Sequence, residues 1–385
     1  MKKNELIVFY GTKYKEMTKK LLETAQLKTL IRDRNAMIGI KPNLVSPSEA
    51  DFGATTHPQV VEGVIEYLQE SGFSRMAVLE SSWVGAKTSD SVKVCGYDRM
   101  LARHNVPFWD LQKDKAAAKD CAGMHLNICE RAGKIDFLIN IPVLKGHCQT
   151  KITCAMKNMK GLIPNSEKRR FHRMGLHDPI ACLNTVIHQD FILVDSICGD
   201  LTFEDGGNPV RQDRLIAGLD PVLTDTFGCR VIGLDPLKIG YIKKAEELKV
   251  GSTHLQPENV LVYRERCPET EDGETLYLRD PSETAGDFSQ EGGYRHVMKL
   301  AEKVCEVESC SACYGYLIPA LNRLDREGLL PKLKERIWIG QGNRGQKGNL
   351  GVGNCTASFT HTLQGCPPTE GQMYEFLKAF ILKHD

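Results

Sequence analysis

The sequence has no excess of charge of either sign, because its 385 residues include 50 lysines and arginines against 49 aspartates and glutamates. A net charge of +1 excludes the broad electrostatic attraction to nucleic acids or acidic membrane surfaces that strongly basic proteins show. Any binding of anions must therefore be local, and we expect no nucleic-acid partner.

Long apolar runs are also missing. No stretch approaches the roughly 18 to 20 apolar residues that span a bilayer. The start, MKKNELIVFYGTKYKEM, has too short an apolar segment and too charged a continuation for a signal peptide. We therefore expect a cytoplasmic protein with no membrane partner. Internal repeats and low-complexity tracts are lacking too, and the sequence leaves the oligomeric state open.

Short apolar runs that alternate with amphipathic stretches dominate residues 1–265. The helical stretches, such as HPQVVEGVIEYLQESG, carry apolar residues at three- and four-residue spacing. This alternation predicts an α/β domain with a mostly parallel sheet and flanking helices. The predicted strands are ELIVFYG, NAMIGIKPN, RMAVLESS, KIDFLINIPVL, DFILVDSICG, RLIAGLD and NVLVYRE.

The composition changes over residues 266–293, which are acidic and rich in Gly, Ser, Thr and Pro, as in a linker or excursion. Residues 294–385 then predict a smaller C-terminal α/β lobe that carries a cysteine cluster. Its expected elements are the helices YRHVMKLAEKVCEV and LIPALNRLDREG, the strand RIWIGQG and the final helix GQMYEFLKAFILK.

Five of the fourteen cysteines lie in this lobe, whereas the other nine are scattered in mostly apolar surroundings typical of core residues. Cys310 and Cys313 form a C-x-x-C pair that can turn two thiolates toward one metal. Cys355 and Cys366 follow in the glycine-rich stretch GNLGVGNCTASFTHTLQGCPP. Glycines there let the backbone approach sulfur, and the prolines prevent a helix.

Four thiolates from separated segments favour a [4Fe–4S] cluster held by Cys310, Cys313, Cys355 and Cys366. The step QGCPP resembles the loop that supplies a cluster cysteine in small iron–sulfur subunits of hydrogenases and respiratory complex I. Zinc and structural or redox thiols stay as alternatives, although a zinc ribbon normally uses two short knuckles. Cys305 is a further nearby thiol that either packs on a helix or replaces one of the four ligands.

The same lobe contains GQGNRG, residues 340–345, which has the spacing of a dinucleotide-binding loop. That loop should open a helix and be followed by a second strand with an acidic residue, whereas more glycines and cysteines follow here. We interpret GQGNRG as a loop around the cluster.

Polar residues follow predicted strands in the N-terminal domain. Lys41 and Asn43 come at the end of AMIGI, where ligands of parallel sheets bind. Thr56 precedes a helix N-terminus, a position that suits either an anion or simple capping.

A second basic segment follows the strand FLINIPVL, with Lys145, His147, Lys157 and Asn158 within fourteen residues. A solvated helix face would give the same composition, but the strand end favours a site for a carboxylate or phosphate. We expect Lys145 and His147 to be catalytic, with His147 as the acid–base group because an unperturbed histidine has a pKa of about 6.5. Lys41, Asn43, Thr56, Lys157 and Asn158 are the expected substrate-binding residues.

Five ordered motifs over about residues 36–250 resemble the DUF362 family, a domain of unknown function often found with iron–sulfur ligands. The motifs are KPNLVSP, THPQVVEGVIEYLQESG, LKGHCQTKITCAMKNMKGLIP, FILVDSICG and LIAGLDPVLTDTFGCRVIGLDP. The resemblance implies an α/β domain and an iron–sulfur association but no settled reaction. Ser196 stands where the family usually has glycine. A fainter similarity of GHCQTKITCAMKNMKG to the lactate-racemase type of fold carries no residue roles across.

Three functional hypotheses follow. The first is an iron–sulfur enzyme, a lyase, isomerase or oxidoreductase of anaerobic metabolism, that acts on a small anionic metabolite. The second is an electron-transfer or maturation protein that docks a redox partner protein, and the third is a zinc-stabilised binding module.

Overall fold

The computed structural model of the protein describes residues 1–201, 206, 209–266, 276–280, 300–309 and 311–384. Its strands are β1 (Leu6–Tyr10), β2 (Ile38–Pro42), β3 (Met76–Glu80), β4 (Phe108–Asp110), β5 (Ala116–Cys121), β6 (Met124–Cys129), β7 (Phe137–Ile141), β8 (Lys145–His147), β9 (Lys151–Thr153), β10 (Phe191–Asp200), β11 (Pro209–Gly218), β12 (Val260–Arg266), β13 (Leu276–Arg279), β14 (Val304–Glu306), β15 (Ile337–Ile339), β16 (Leu350–Val352) and β17 (His361–Leu363).

The α-helices are α1 (Tyr14–Thr24), α2 (Leu27–Leu30), α3 (Pro58–Glu70), α4 (Thr88–Val94), α5 (Tyr97–His104), α6 (Ala155–Asn158), α7 (Asn165–Met174), α8 (His177–Leu183), α9 (Pro221–Val231), α10 (Gly240–Glu247), α11 (Ser311–Arg326) and α12 (Glu370–His384). Helix α9 illustrates why they start where they do. Asp220 precedes it and accepts hydrogen bonds from the backbone amides of Val222 and Leu223, at 2.9 and 3.0 Å. Pro221 then occupies the first helical position, where no amide donor is needed.

A nine-stranded sheet organises the N-terminal part, in the order β13-β12-β1-β11-β10-β7-β2-β3-β4. The run β10-β7-β2-β3-β4 is parallel, as is the pair β1 and β12. β11 runs antiparallel to both neighbours, and β13 runs antiparallel to β12. The sheet is therefore mostly parallel, and its parallel half brings several strand carboxyl ends to one edge.

Helices cover both faces of this sheet, as the alternation along β1 shows. Leu6 and Val8 join a core that includes residues of α8, α9 and α10. Ile7 and Phe9 point the other way into a core that includes residues of α1, α3 and α5. Successive residues of a strand face opposite sides, so one apolar strand serves both cores.

The C-terminal part has its own small parallel sheet, in the order β14-β15-β16-β17. Helices α11 and α12 pack on it around a third, separate hydrophobic core. This core includes Leu321 of α11, Ile339 of β15 and Leu377 of α12. The fold class predicted from the sequence is thus confirmed: a mostly parallel α/β sheet with flanking helices and a smaller C-terminal α/β lobe.

Some elements differ from the sequence-based prediction. The helix predicted over residues 294–307 is wrong at its end, where β14 carries Cys305 and pairs with β15. Residues 294–299 lie outside the described part of the chain. Within the predicted linker, Leu276–Arg279 forms the edge strand β13; the proposed domain boundaries stay a prediction. No helix among the described residues combines the length and apolar character that a bilayer crossing requires.

Candidate functional site

The neighbouring parallel strands β2 and β3 bring Lys41 and Glu80 together at the carboxyl edge of the sheet. Lys41 Nζ lies 2.7 Å from Glu80 Oε2, and both side chains are buried. The lysine also donates to Pro42 O at 2.9 Å and to Asn158 Oδ1 at 3.2 Å. Burial lowers the pKa of Lys41, while the adjacent Glu80 carboxylate opposes that shift. This buried ion pair forms the inner part of the carboxyl edge of the sheet.

Gly161 lies against this ion pair. A Cβ at that position would overlap Glu80 Oε1 and would lie 2.5 Å from Lys41 Nζ. Glycine is therefore required where the backbone after α6 crosses the two charges.

Thr56 is also held behind the edge rather than at its surface. Its hydroxyl donates to Ile141 O and accepts from the Asn43 amide, both at 2.8 Å. These bonds tie the ends of β2 and β7 to the start of α3. Neither Thr56 nor Lys41 lines the cavity described below, although both were expected at the ligand, because protein atoms already engage their polar groups. We assign them to positioning the residues that do line it.

His147 lies on β8, in the short hairpin with β9, and is buried. Its Nδ1 accepts hydrogen bonds from the amides of Gln149 and Thr150, both at 3.1 Å. The ring proton must therefore reside on Nε2. Burial, and then the positive charges of Lys157 and Lys160, lower the pKa of His147 well below its usual range. The imidazole is neutral at physiological pH, unlike the unperturbed histidine assumed from the sequence.

Lys145 precedes His147 on the same strand and is 1% exposed. Its Nζ donates to Ala54 O at 2.6 Å. Lys157 follows on α6 and donates to Thr153 Oγ1 at 2.9 Å. Asp225 fixes the start of that short helix by accepting from the amide of Ala155 at 2.7 Å. The hairpin of β8 and β9 and helix α6 together place at this edge the basic residues that the sequence predicted there.

Lys168, on α7, is a buried lysine that the sequence analysis did not single out. Its Nζ donates to Ser81 O, Ser81 Oγ and Ser82 O at 2.6, 2.6 and 2.7 Å. Burial lowers its pKa to about 7. A signal existed in the sequence, since Lys168 lies three residues before the buried Phe171 and therefore shares its helix face.

Three described cysteines of the C-terminal lobe lie on segments that converge. Cys313, near the start of α11, is buried, and its Sγ would lie 3.3 Å from a Cβ placed at Gly353. Gly353 has a φ of +95°, a backbone conformation that favours glycine. The lack of a side chain at this position also leaves room for the sulfur of Cys313. Cys355 is half-buried and Cys366 is exposed.

The loops that carry Cys355 and Cys366 are joined just before each cysteine. Asn354 N donates to Gly365 O at 2.9 Å, and Gly365 N donates to Asn354 Oδ1 at 2.8 Å. We call this reciprocal pair the Asn354–Gly365 clamp. It holds the two cysteine loops side by side.

Thiolates are ligands both of zinc and of iron–sulfur clusters. Tetrahedral zinc, with Zn–S of about 2.3 Å, brings its sulfurs to roughly 3.8 Å from one another. Among the described residues, only Glu62, Glu66 and His104 form a trio of metal-type ligand atoms within 4.8 Å. Cys313, Cys355 and Cys366 do not form such a trio. Cys310 lies outside the described residues, and Cys305 lies half-buried on β14.

The two halves of the chain meet at a cavity of about 650 Å³. Asn43, Lys145, His147, Lys157 and Asn158 line it from the sheet edge, and Cys355 and Cys366 line it from the C-terminal lobe. Its lysine and arginine side chains are Lys145, Lys157, Lys160, Lys168, Arg169, Arg173 and Arg344.

Glu80 is the one acidic side chain that lines the cavity in the described part of the chain, and Lys41 neutralises it. Such walls favour an anionic ligand.

A second histidine in the cavity wall, His172 on α7, is also neutral. Burial, and then Lys160 and Lys157, lower its pKa to about 2. Its buried Nδ1 has no hydrogen-bond partner among the described residues. The positive charge of the cavity therefore comes from lysine and arginine, not from its histidines.

The fold and this cavity define an α/β protein with a cationic site at the carboxyl edge of its sheet, closed by a cysteine-bearing lobe. Residues 38–230 match the family described as Domain of unknown function (DUF362). This chain belongs to the DUF362 family. The match covers the sheet edge with Lys41, Glu80 and His147, whereas the C-terminal cysteines lie outside it.

One similar curated protein is the Thylakoid-associated protein sll1697 of Synechocystis sp. It is 24% identical over 249 residues, which is 60% of this chain and 76% of that protein.

Two solved structures show weak similarity to this chain. The first is the lactate racemase apoprotein of Thermoanaerobacterium thermosaccharolyticum, with a TM-score of 0.37, 13% identity, and 64% of this chain and 57% of that chain covered. The second is a protein from Thermotoga maritima, with a TM-score of 0.30, 13% identity, and 77% and 62% covered. This chain spans less than two thirds of the length of either structure.

Proposed function

We propose that this protein binds a [4Fe–4S] cluster through Cys310, Cys313, Cys355 and Cys366 and acts as an enzyme on a small anionic substrate. One observation carries the proposal: Cys355 and Cys366 line the same cavity as Lys145 and His147. A cluster held there would lie beside a bound carboxylate or phosphate. When bound, it would supply electron transfer or, with an open iron, Lewis-acid chemistry.

The residues of the sheet edge would bind and orient the substrate. Lys145 and Lys157 supply positive charge, and Asn43 supplies an amide group at the cavity wall. Asn158 also lines the wall, but its amide is bonded to Lys41 and Asn140 and therefore holds the wall in place. His147, whose proton is on Nε2, would donate a hydrogen bond to a substrate oxygen on which negative charge develops. Lys41 and Thr56 keep this edge in place. A hydroxy acid or a phosphorylated metabolite fits such a site, and the proposed reaction is elimination, isomerisation or reduction.

Electron transfer to a partner protein, or a role in maturation, is the second candidate, and the exposure of Cys366 favours it. An exposed ligand places one side of a cluster near solvent, where a redox partner can approach. The thylakoid association belongs to the name of the relative; for this chain we propose the cytoplasm.

Anaerobic purification with measurement of iron and sulfide tests the proposal. We expect about four irons per chain and an electron paramagnetic resonance signal after reduction. Alanine at Cys310, Cys313, Cys355 or Cys366 should lower the iron content, whereas Cys305→Ala should retain it. A colourless, zinc-loaded protein would contradict the cluster, and iron loss in Cys305→Ala would contradict the ligand set.

A spectrum that shifts on addition of a phosphorylated hydroxy acid would separate catalysis from electron transfer alone. Substrate at the cluster must perturb its electronic environment if both share the cavity. His147→Asn is the variant to compare with the wild type in this titration, because asparagine keeps a polar group at the position. An unchanged spectrum at saturating ligand would favour the electron-transfer role.

A further inference from the structure

Two groups of positive charge lie at different depths of the cavity. The buried group is on the sheet edge and includes Lys145, which is 1% exposed; the neutral imidazole of His147 lines the same part of the cavity. The outer group consists of Arg169 and Arg173 on α7 and Arg344 in the C-terminal lobe, and all three side chains are exposed. We call these three residues the mouth arginines.

The mouth arginines are brought together by both halves of the molecule. Arg169 and Arg173 are four residues apart on α7 and therefore share one face of the helix. Gln341 Nε2 donates to His172 O at 3.4 Å, which holds the loop of Arg344 against that helix. The loop is the GQGNRG stretch, so its basic residue serves the cavity rather than a dinucleotide fold.

No acidic side chain in the described ranges forms an ion pair with a mouth arginine. The neighbouring Arg170 shows the contrast, since it pairs with Glu167 at 2.8 Å. Guanidinium groups offer planar, paired donors that match carboxylates and phosphates. Like charges that line one opening repel each other, and a bound anion relieves that repulsion.

The cavity is large enough that its buried basic group and the mouth arginines can bind different parts of one ligand. A volume of about 650 Å³ corresponds to a sphere about 11 Å across, which suits a ligand far larger than one phosphate. A single small anion held by Lys145 and His147 would leave the mouth arginines unoccupied.

We propose that the cavity binds an organic polyanion with two separated acidic groups, such as a sugar-acid phosphate. One acidic group binds at the buried end, beside Lys145 and His147, and the other binds the mouth arginines. This inference rests on the anion site of the proposed function and does not depend on the cluster.

Titration calorimetry with a matched pair of ligands tests this inference. Glucose 6-phosphate and 6-phosphogluconate have six carbons and one phosphate each, but only the second carries a carboxylate at the far end. We expect 6-phosphogluconate to bind at least tenfold more tightly than glucose 6-phosphate to the purified protein. Equal dissociation constants would overturn the two-group proposal and leave the anion site itself standing.

Variants then assign the outer group. The double variant Arg169→Gln with Arg173→Gln should reduce the preference for 6-phosphogluconate to less than threefold, and Arg344→Gln should reduce it in the same direction. Arg99→Gln is the control, because Arg99 is an exposed arginine of α5 that does not line the cavity. A preference that survives in the double variant would overturn the role of the mouth arginines. Absence of binding by either ligand and by pyrophosphate would overturn both this inference and the anion site.

Discussion

At the scale of single residues, several charged groups around the cavity are paired with an opposite charge or buried away from water by the protein itself. Lys41 supports Glu80 and Asn158 from behind the wall, and Lys168 joins α7 to the end of β3. Sequence alone identified strand-end lysines because parallel strands end at one edge. It did not separate lysines that line the cavity from those behind it, because that depends on side-chain partners from distant segments.

Lys168 should make stability depend on pH in a defined window. In the unfolded chain its amine keeps a proton up to about pH 10.5, but in the folded protein only up to about pH 7. Between these values the unfolded state binds more protons, so the free energy of unfolding rises with pH. We expect the wild type to gain on Lys168→Met by up to about 1.4 kcal/mol per pH unit above pH 7.

Urea denaturation of both proteins at several pH values between 6 and 10 measures this difference. Lys160→Met is the control for the removal of a lysine from the cavity wall, since Lys160 also lines the cavity but is only partly buried. Parallel stability curves for wild type and Lys168→Met would show that Lys168 stays protonated in the folded state.

At the scale of elements, apolar β-rich runs were easy to recognise and alanine-rich strands were not. The runs around β1, β2 and β10 have the composition of buried strands, and all three form. The hairpin of β5 and β6 begins with Ala116, Ala117 and Ala118, which have low strand propensity. Its pairing comes from the tight turn at Ala122 and Gly123, both at positive φ.

Cys305 was placed on a helix for a related reason. The stretch before it has helical spacing, but the three residues Val304–Glu306 pair with β15 and become a strand. Pairing with a strand some thirty residues further on overrides local periodicity, and a single sequence does not reveal it.

The Asn354–Gly365 clamp should determine how firmly a cluster is held. Asn354→Ala removes the Oδ1 acceptor of the Gly365 amide, so the loops of Cys355 and Cys366 should separate more easily. We expect a several-fold faster loss of iron to a chelator with little change in the fold. Absorbance during incubation with a chelator measures the rate.

Asn354→Asp is the matched control, because it keeps an oxygen acceptor at the same position and should release iron close to the wild-type rate. Equal rates in Asn354→Ala and wild type would mean that the clamp does not position the thiolates. A wild type without iron would count against the cluster itself rather than against the clamp.

At the scale of the whole molecule, the two parts of the chain have separate hydrophobic cores but share one cavity. The predicted α/β class and its smaller C-terminal lobe are confirmed. They could be predicted because alternating strands and helices leave few other ways to bury this much apolar surface. Their mutual placement was not predictable, since it rests on contacts between residues far apart in the sequence. One is the ion pair between Lys151 Nζ and Glu306 Oε2 at 3.9 Å, and Lys151 is largely exposed.

The separate hydrophobic cores of the two parts predict two unfolding transitions in the protein without bound ligand. A surface ion pair such as that of Lys151 and Glu306 contributes only about 0–1 kcal/mol to the coupling of the two cores. Leu321→Ala, in the C-terminal core, should lower one calorimetric transition, with a loss of about 2–5 kcal/mol. Leu193→Ala, in the large sheet, should lower the other. A single transition that both variants shift would contradict this independence.

The cavity wall also has a consequence for synthesis, because it includes residues from Asn43 to Pro367. The sheet edge that holds Lys145 and His147 leaves the ribosome long before Cys355 and Cys366 do. During that interval the nascent chain has its basic edge but not the lobe that closes it. The cavity therefore has both of its walls only after residues as far as Pro367 have been made, and a chain that stops before Cys355 lacks one of them.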